Sequence, residues 1–510
     1  MIARLHSSIL QGIDAVPCEI ETDVSNGQIG EIKLVGLADA AVRESTSRIQ
    51  AALRNSGYRW PGPKVTINLA PAEVRKDSAA FDLPIALACM IAGGQFASDV
   101  LDEHMILGEL ALDGRVRPAK GALAAAMLAA REGKRRLILP VDNAPEAAVV
   151  QEVEVIGVRY LAEAVGVLTG ELTLDPAQVD LDRVFQAEGH YEVDFADVRG
   201  QESAKRAMMV AAAGHHNLAM IGPPGSGKTM LAKRIPTILP ALSVSESLET
   251  TRVYSSRGLL EPGKSLMATR PVRMPHHSSS SAALVGGGAI PQPGEVSLAH
   301  HGVLFLDELP EFSRNTLEMI RQPLEDRCVT IPRVHSTVKF PASIMLVAAM
   351  NPCPCGYYTD PKRSCKCSPV AIERYMGRIS GPLIDRVDIH VEVPPVAWKD
   401  LRSEGGSGLS SAEIRRQVVL ARGRQRERFA DNGTATNATM SSREVREYCR
   451  LDAQGESLLK RALTELGLSA RAHDKILRVS RTIADLEGQP RIAPHHVAEA
   501  VQYRRLDRKL

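Results

Sequence analysis

Eight residues, Gly222, Pro223, Pro224, Gly225, Ser226, Gly227, Lys228 and Thr229, stand between the apolar run Asn217-Leu-Ala-Met-Ile221 and the helix-like stretch Met230-Leu-Ala-Lys-Arg-Ile235. A strand, a glycine-rich turn and a helix start in that order point successive backbone N–H groups at one spot, which suits phosphate oxygens. In the string G-x-x-x-x-G-K-T the lysine reaches the outer phosphates and the threonine hydroxyl holds Mg²⁺. Lys228 and Thr229 are expected in those roles, within a nucleotide-binding α/β core.

At 510 residues the chain is too long for one ordinary core. Its net charge of +2 excludes a polyanion binder by bulk charge, so any contact with nucleic acid has to be local. Aromatic residues make up only 4%, which argues against broad base stacking. No apolar stretch is long enough to span a bilayer, and Met1-Ile-Ala-Arg-Leu-His6 lacks the apolar centre of a signal peptide, so a cytoplasmic location is expected.

Residues 1–172 alternate β-like runs, such as Val65-Thr-Ile-Asn-Leu69, with alanine-rich helical runs, such as Gly121-Ala-Leu-Ala-Ala-Ala-Met-Leu-Ala-Ala-Arg131. They are predicted to form an α/β domain with its own core. Arg75-Lys-Asp-Ser-Ala-Ala-Phe-Asp-Leu83 and Leu107-Gly-Glu-Leu-Ala-Leu-Asp-Gly-Arg-Val-Arg-Pro118 resemble the proteolytic domain of Lon proteases, which implies a ribosomal S5 domain 2-like fold. That resemblance sets Ala80 at the place of the nucleophilic serine and Leu123 at the place of the activating lysine. A Ser–Lys dyad needs both groups, so a non-catalytic domain kept for assembly or partner binding is expected, and a displaced dyad of Ser78 and Lys120 is the less favoured alternative.

Residues 173–192 lack clean periodicity and read as a linker. The following stretch, Val193 to Ala207, opens extended and continues as helix. The segment 230–306 before Asp307 is far longer than one crossover helix needs, so an insert is expected at about 252–300, with exposed loops around Arg270-Pro-Val-Arg-Met-Pro-His-His-Ser278 and Val285-Gly-Gly-Gly-Ala-Ile-Pro-Gln-Pro-Gly294. Gly302-Val-Leu-Phe-Leu-Asp-Glu308 reads as a buried parallel strand tipped by two acids. Asp307 is placed to complete a Mg²⁺ shell and Glu308 to orient and deprotonate an attacking water. Residues 328–341 read as a hairpin with Arg333 and His335 near its tip, and the strand after it delivers Asn351, whose amide can position that water.

Of eight cysteines, four fall between 353 and 367: Cys353, Cys355, Cys365 and Cys367. Two close pairs of thiolates suit a tetrahedral Zn²⁺ site that pins a loop; an iron–sulfur cluster and an inert cysteine cluster are the alternatives. Past a core ending near 396, residues 403–411 form a flexible join and the rest of 397–510 reads as helical, with Ser469 as a cap and Arg471 in the first turn of a helix.

The phosphate loop, Pro271-Val-Arg-Met-Pro-His-His-Ser278, Pro293-Gly-Glu-Val-Ser-Leu-Ala-His300, Asp307-Glu308, Met350-Asn-Pro-Cys-Pro-Cys-Gly356 and Ile379-Ser-Gly-Pro-Leu-Ile-Asp-Arg386 together resemble the ComM/YifB family of magnesium-chelatase-like AAA+ proteins over essentially the whole chain. The resemblance implies an AAA+ core of parallel strands and flanking helices (193–396, helix-2-insert clade), a helical lid (397–510) and a hexameric ring with ATP between subunits. It makes Asp197 to Gly200 the adenine-side segment, Arg386 the arginine finger toward a neighbour's γ-phosphate, and Arg471 the lid arginine. It further implies a DNA helicase that drives branch migration as DNA taken up in natural transformation is integrated by homologous recombination. Arg270, Arg273, His276 and His277 in the insert, with Arg333, His335 and Lys339 around the hairpin, are the candidate DNA contacts, and phosphate contacts of this kind give little sequence preference. A chelatase-type motor subunit, another AAA+ remodelling factor and an ATP-dependent protease are the other readings.

Overall fold

Alternation of buried and outward side chains along Ile2–Gln11 and Asp14–Ser25 sets Leu5, Ile9, Cys18 and Ile20 on one apolar face and pairs the two strands antiparallel. The computed structural model describes residues 2–25, 31–37, 39–76, 78–188, 191–288, 290–332, 337–358, 360, 363–396, 409–430, 436–467 and 469–504. It divides into two units, Met1–Gly189 with Ser243–Ala268, and His190–Leu242 with Thr269–Leu510.

In the first unit those strands lie within a seven-stranded mixed sheet, whose order from one edge is Glu31–Val35, Lys64–Ala70, Asp14–Ser25, Ile2–Gln11, His104–Ile106, Arg136–Pro140, Glu154–Val158. The helix Asp82–Ala92 is buried at every position, as its apolar sequence requires. Ala80 and Leu123 stand where the protease-like pattern calls for a nucleophile and a base, and Leu123 is fully buried. Ser78 accepts the Ala80 N–H at 3.1 Å as a local cap, and the Lys120 stem lies along Gly258.

Two boundaries differ from the sequence expectation. The 173–192 segment contains a helix, Leu181–Glu188, and Val184 and Phe185 pack with Val149, Leu266 and Ala268. Residues 243–268 leave the nucleotide-binding unit and complete the first one. Their helix, Val244–Arg257, is closed at its start by a reciprocal Ser243–Glu246 capping box. It is fixed by the buried Glu146, whose carboxylate accepts from the Ser255 hydroxyl and from the Leu123 N–H. Burial raises the Glu146 carboxyl pKa.

The second unit is built on a parallel sheet in the order Val272–Arg273, Val303–Leu306, Met345–Met350, Leu218–Ile221, Ile389–Glu392. The central three strands are buried throughout, which explains their unbroken apolar runs. Val272–Arg273, expected in an exposed loop, forms the short edge strand instead, because Val303 N–H reaches Pro271 O at 2.9 Å and opens a parallel ladder there. Helices Ser411–Phe429, Ala453–Leu466, Ala470–Leu486 and Pro494–Gln502 make up most of the C-terminal part.

A latch fastens that helical part to the sheet. The Asp388 carboxylate accepts the Asn217 N–H at 2.9 Å and pairs with Lys475 at 2.8 Å, and Lys475 also donates to Val387 O. Burial alone would raise the Asp388 carboxyl, but Lys475, His216 and the Asn217 N–H outweigh it and hold it down to about 2. Asp388→Asn should therefore cost about 3 kcal/mol, as for a buried pair broken on one side. In wild type the latch's contribution should be complete above the ordinary carboxyl value of 3.8 and fade as pH falls toward 2. Denaturant titrations of both proteins across that range check it, and equal stability would show that the latch carries no load.

Candidate nucleotide site

Two parallel strands end level with one another, Ile221 opposite Met350, and the third ends at Leu306 opposite Ala348, two residues short of them. The residues that follow, Gly222, Asp307 and Asn351, emerge together at the carboxyl edge of the sheet, where open α/β sheets bind ligands. Gly222 N–H is held by Met350 O at 3.2 Å. Gly227 opens the helix Lys228–Ala232 with φ of +93°, a conformation that side chains rarely adopt.

The Lys228 ammonium donates to Gly222 O at 2.7 Å, Pro223 O at 2.9 Å and Asn351 Oδ1 at 3.2 Å. Burial lowers its pKa, opposed by Asp307 and Glu308. Thr229 Oγ1 donates to Asp307 Oδ2 at 2.7 Å, so the hydroxyl and carboxylate expected to hold Mg²⁺ are already adjacent. Glu308 has φ of 53°, sparse for a side chain of its size, and its own N–H is bonded to Asp307 Oδ1. This turn holds the two acids apart, one toward Thr229 and one toward His277 Nδ1 at 3.5 Å.

Some of these neighbours were not legible as such. His277, expected to face DNA, stands beside Glu308. Gln201 ties the loop down, donating to Ser226 O at 3.3 Å and Pro394 O at 2.6 Å. Nothing in the local sequence around Gln201 signals this. In the segment expected on the adenine side, Asp197 is paired with Arg234 at 2.9 Å and Val198 is buried.

Arg386 and Arg471 lie elsewhere. Arg386 donates to Pro382 O at 2.5 Å and to Glu325, while Arg471 is 3.7 Å from Asp385. Both line a cavity of about 380 Å³ together with Arg327, Lys475 and Arg478, and no residue of Gly222–Thr229 lines it. Arg386 and Arg471, expected as finger and lid arginines, thus share one pocket, and the phosphate loop is not part of it.

The basic candidates divide as well. The Arg270 guanidinium is spent on the carbonyls of Pro240, His301 and Ala241, and Arg273 forms a two-pronged pair with Glu295 at 2.6 and 2.8 Å. Both therefore serve the protein's own packing. His276 and Lys339 are exposed; Arg333 and His335 lie outside the described residues.

The four clustered cysteines come together. Cys353, Cys355 and Cys365 sulfurs are 3.3 to 3.7 Å apart, and the Cys367 sulfur is within 4.8 Å of each of them. Zn–S bonds of about 2.3 Å in a tetrahedron give S···S edges of about 3.8 Å, so the set fits Zn²⁺. The N–H groups of Tyr357 and Lys366 pull the Cys355 thiol down to about 6, while burial and the neighbouring thiols push those of Cys365 and Cys367 up.

Comparison with known proteins agrees along the whole chain. Residues 194–401 match the family described as magnesium chelatase, subunit ChlI; residues 20–143 match subunit ChlI of Mg-chelatase, and residues 408–504 the ChlI C-terminal family. Competence protein ComM of Haemophilus influenzae is 42% identical across 100% of this chain and 98% of its own length. The uncharacterized protein YifB of Escherichia coli is 42% identical over the same shares. Lon protease 2 of Bacillus subtilis is 34% identical over 28% of this chain and 27% of its own. Among the described residues no helix is long and apolar enough to cross a membrane.

The geometry assigns separable effects. Lys228→Ala should weaken Mg-nucleotide binding on the order of 100-fold, the loss of two charge-assisted hydrogen bonds. Glu308→Gln should keep binding and lose roughly 10²–10⁴ in turnover, the range of a positioned base. Titration calorimetry and steady-state hydrolysis read both. Turnover that survives Glu308→Gln but is lost in His277→Ala would move the water-activating role to His277.

Proposed function

The chain belongs to the magnesium chelatase subunit ChlI family of AAA+ ATPases and is a full-length homologue of competence protein ComM; on that premise we propose that it is an ATP-driven hexameric DNA motor. The motor drives branch migration while incoming DNA is integrated by recombination. ATP is bound by Gly222 to Thr229, Mg²⁺ by Thr229 and Asp307, and a structural Zn²⁺ by Cys353, Cys355, Cys365 and Cys367. Glu308 activates water that Asn351 helps to position.

The observation that carries this reading is the division of the arginines from the phosphate loop. Arg386 and Arg471 line a pocket that contains no phosphate-loop residue. A guanidinium placed there serves a γ-phosphate presented by the next copy in a ring, which couples hydrolysis to assembly. In that role Arg386 exchanges Glu325 and Pro382 O for phosphate oxygens, and Arg471 approaches from the same side. Charge neutralisation in the transition state then depends on a neighbour.

The DNA part rests on two small hairpins of the same unit. Gly286–Gly287 with Gln292–Pro293 lies against Ile331 of the hairpin Cys328–Pro332/Thr337–Pro341. Lys339 is exposed on that second hairpin; Arg333 and His335, which fall between its two strands in sequence, lie outside the described residues. Repeated around a ring, these groups would line a pore with positive charge at phosphate height, while Arg270 and Arg273 shape the sheet edge behind it. A chelatase-type motor is the second reading, favoured by the three family matches.

Purified protein should show ATP hydrolysis stimulated several-fold by forked or four-way DNA and displace strands from those substrates. Lys339→Ala should weaken binding evenly across sequences and lower the salt slope by about 1 for each phosphate that is no longer neutralised. Hydrolysis insensitive to every DNA but stimulated by a porphyrin with partner subunits would replace the DNA motor by the chelatase reading.

A further inference from the structure

The cysteine cluster touches the nucleotide site at two points. Asn351, two residues ahead of Cys353, accepts from the Lys228 ammonium at 3.2 Å. Gly356, next after Cys355, lies on the ring of Pro224 in the phosphate loop; a Cβ there would stand 2.5 Å from Pro224 Cδ and 2.7 Å from Cγ. Gly356 also has φ of +85°, so neither the space nor the backbone admits a side chain. The segment from 351 to 356 therefore spans from the lysine's partner to the loop's outer wall.

All four thiols are free, and the loop that joins the two cysteine pairs contains no helix or strand among its described residues. Cys353 is buried and Cys367 N–H donates to Cys365 Sγ at 3.4 Å. The short stretch 351–358 thus has little regular structure of its own to hold its shape against the phosphate loop. A divalent ion on four thiolates supplies that rigidity, since such a site contributes folding energy to the loop that carries it.

A second group of ligand-type residues behaves differently. In the cluster of Glu487, His495 and His496, His496 Nδ1 accepts the Ala493 N–H, which leaves the proton on Nε2, facing Glu487 at 3.0 Å. That histidine is a hydrogen-bond donor and has no lone pair to offer an ion there. The cysteine set has no such conflict.

We infer that the four-cysteine cluster is a metal-dependent clamp on the phosphate loop, in which a bound Zn²⁺ holds Gly356 against Pro224 and Asn351 against Lys228 and so sets nucleotide affinity. The inference rests on the zinc reading above and adds a function to it. Without the ion, the segment 351–356 loosens, Lys228 loses a fixed partner and the loop loses its outer wall. The ion takes no part in the chemistry of hydrolysis.

Full-length protein is tested as purified, after zinc removal with a thiol reagent and a chelator that spares Mg²⁺, and after zinc is added back. Zinc per chain is read with a chromophoric chelator, and affinity with a fluorescent ADP analogue. One zinc per chain is expected, with affinity falling about tenfold on removal, the equilibrium worth of one hydrogen bond to a charged group, and returning when zinc is restored. Cys365→Ser should match the stripped protein. Gly356→Ala should keep its zinc and still bind nucleotide weakly, which separates the clamp from general unfolding. Zinc bound at one per chain with affinity unchanged on removal would overturn the clamp and leave the zinc reading standing. Absence of any zinc binding would overturn both.

Discussion

The nucleotide-binding unit depends on three parallel strands that finish within two residues of one another. Because Ile221 and Met350 finish opposite each other and Leu306 only two residues short of them, the phosphate loop, Asp307 and Asn351 emerge close together. Lys228 is satisfied by two loop carbonyls and one amide, and Thr229 by Asp307, so the polar groups are paired and pre-positioned. The Asp388 latch extends this order by fixing the fifth strand and the C-terminal helices to the same sheet. Arg386, just ahead of Asp388, stands in a separate pocket, where it donates to Pro382 O and Glu325.

Most of the nucleotide site was legible because its parts are local. The loop string, the acid-tipped strand and Asn351 at a strand end each follow from a run of apolar residues and what comes next. What was not legible depends on partners distant in sequence. Arg270 and Arg273 count as positive charge in the sequence, yet carbonyls and Glu295 take up their guanidinium groups. The edge strand Val272–Arg273 is too short to show a period and follows a proline. His277 meets Glu308 only because that edge strand runs beside the acid-tipped one.

The same limit applied to the protease-like unit. Sequence showed that Ala80 and Leu123 cannot form a dyad. It did not show that residues 243–268, inserted within the nucleotide-binding unit, return to complete this one. Ser255 and Leu123 N–H both converge on Glu146, so the region where the protease-like pattern places its base is occupied by structural hydrogen bonds. The unit reads as a protease-like scaffold that takes in the segment 243–268.

The central claim is that each nucleotide site is completed by Arg386 of another copy, and mixing two inactive variants tests it most directly. Glu308→Gln chains keep the finger and lose the base; Arg386→Ala chains keep the base and lose the finger. Equimolar mixtures should regain about one quarter of wild-type turnover, the share of sites in a randomly mixed head-to-tail ring that have both groups. No recovery in mixtures that assemble, or normal turnover by assembled Arg386→Ala alone, would contradict the claim.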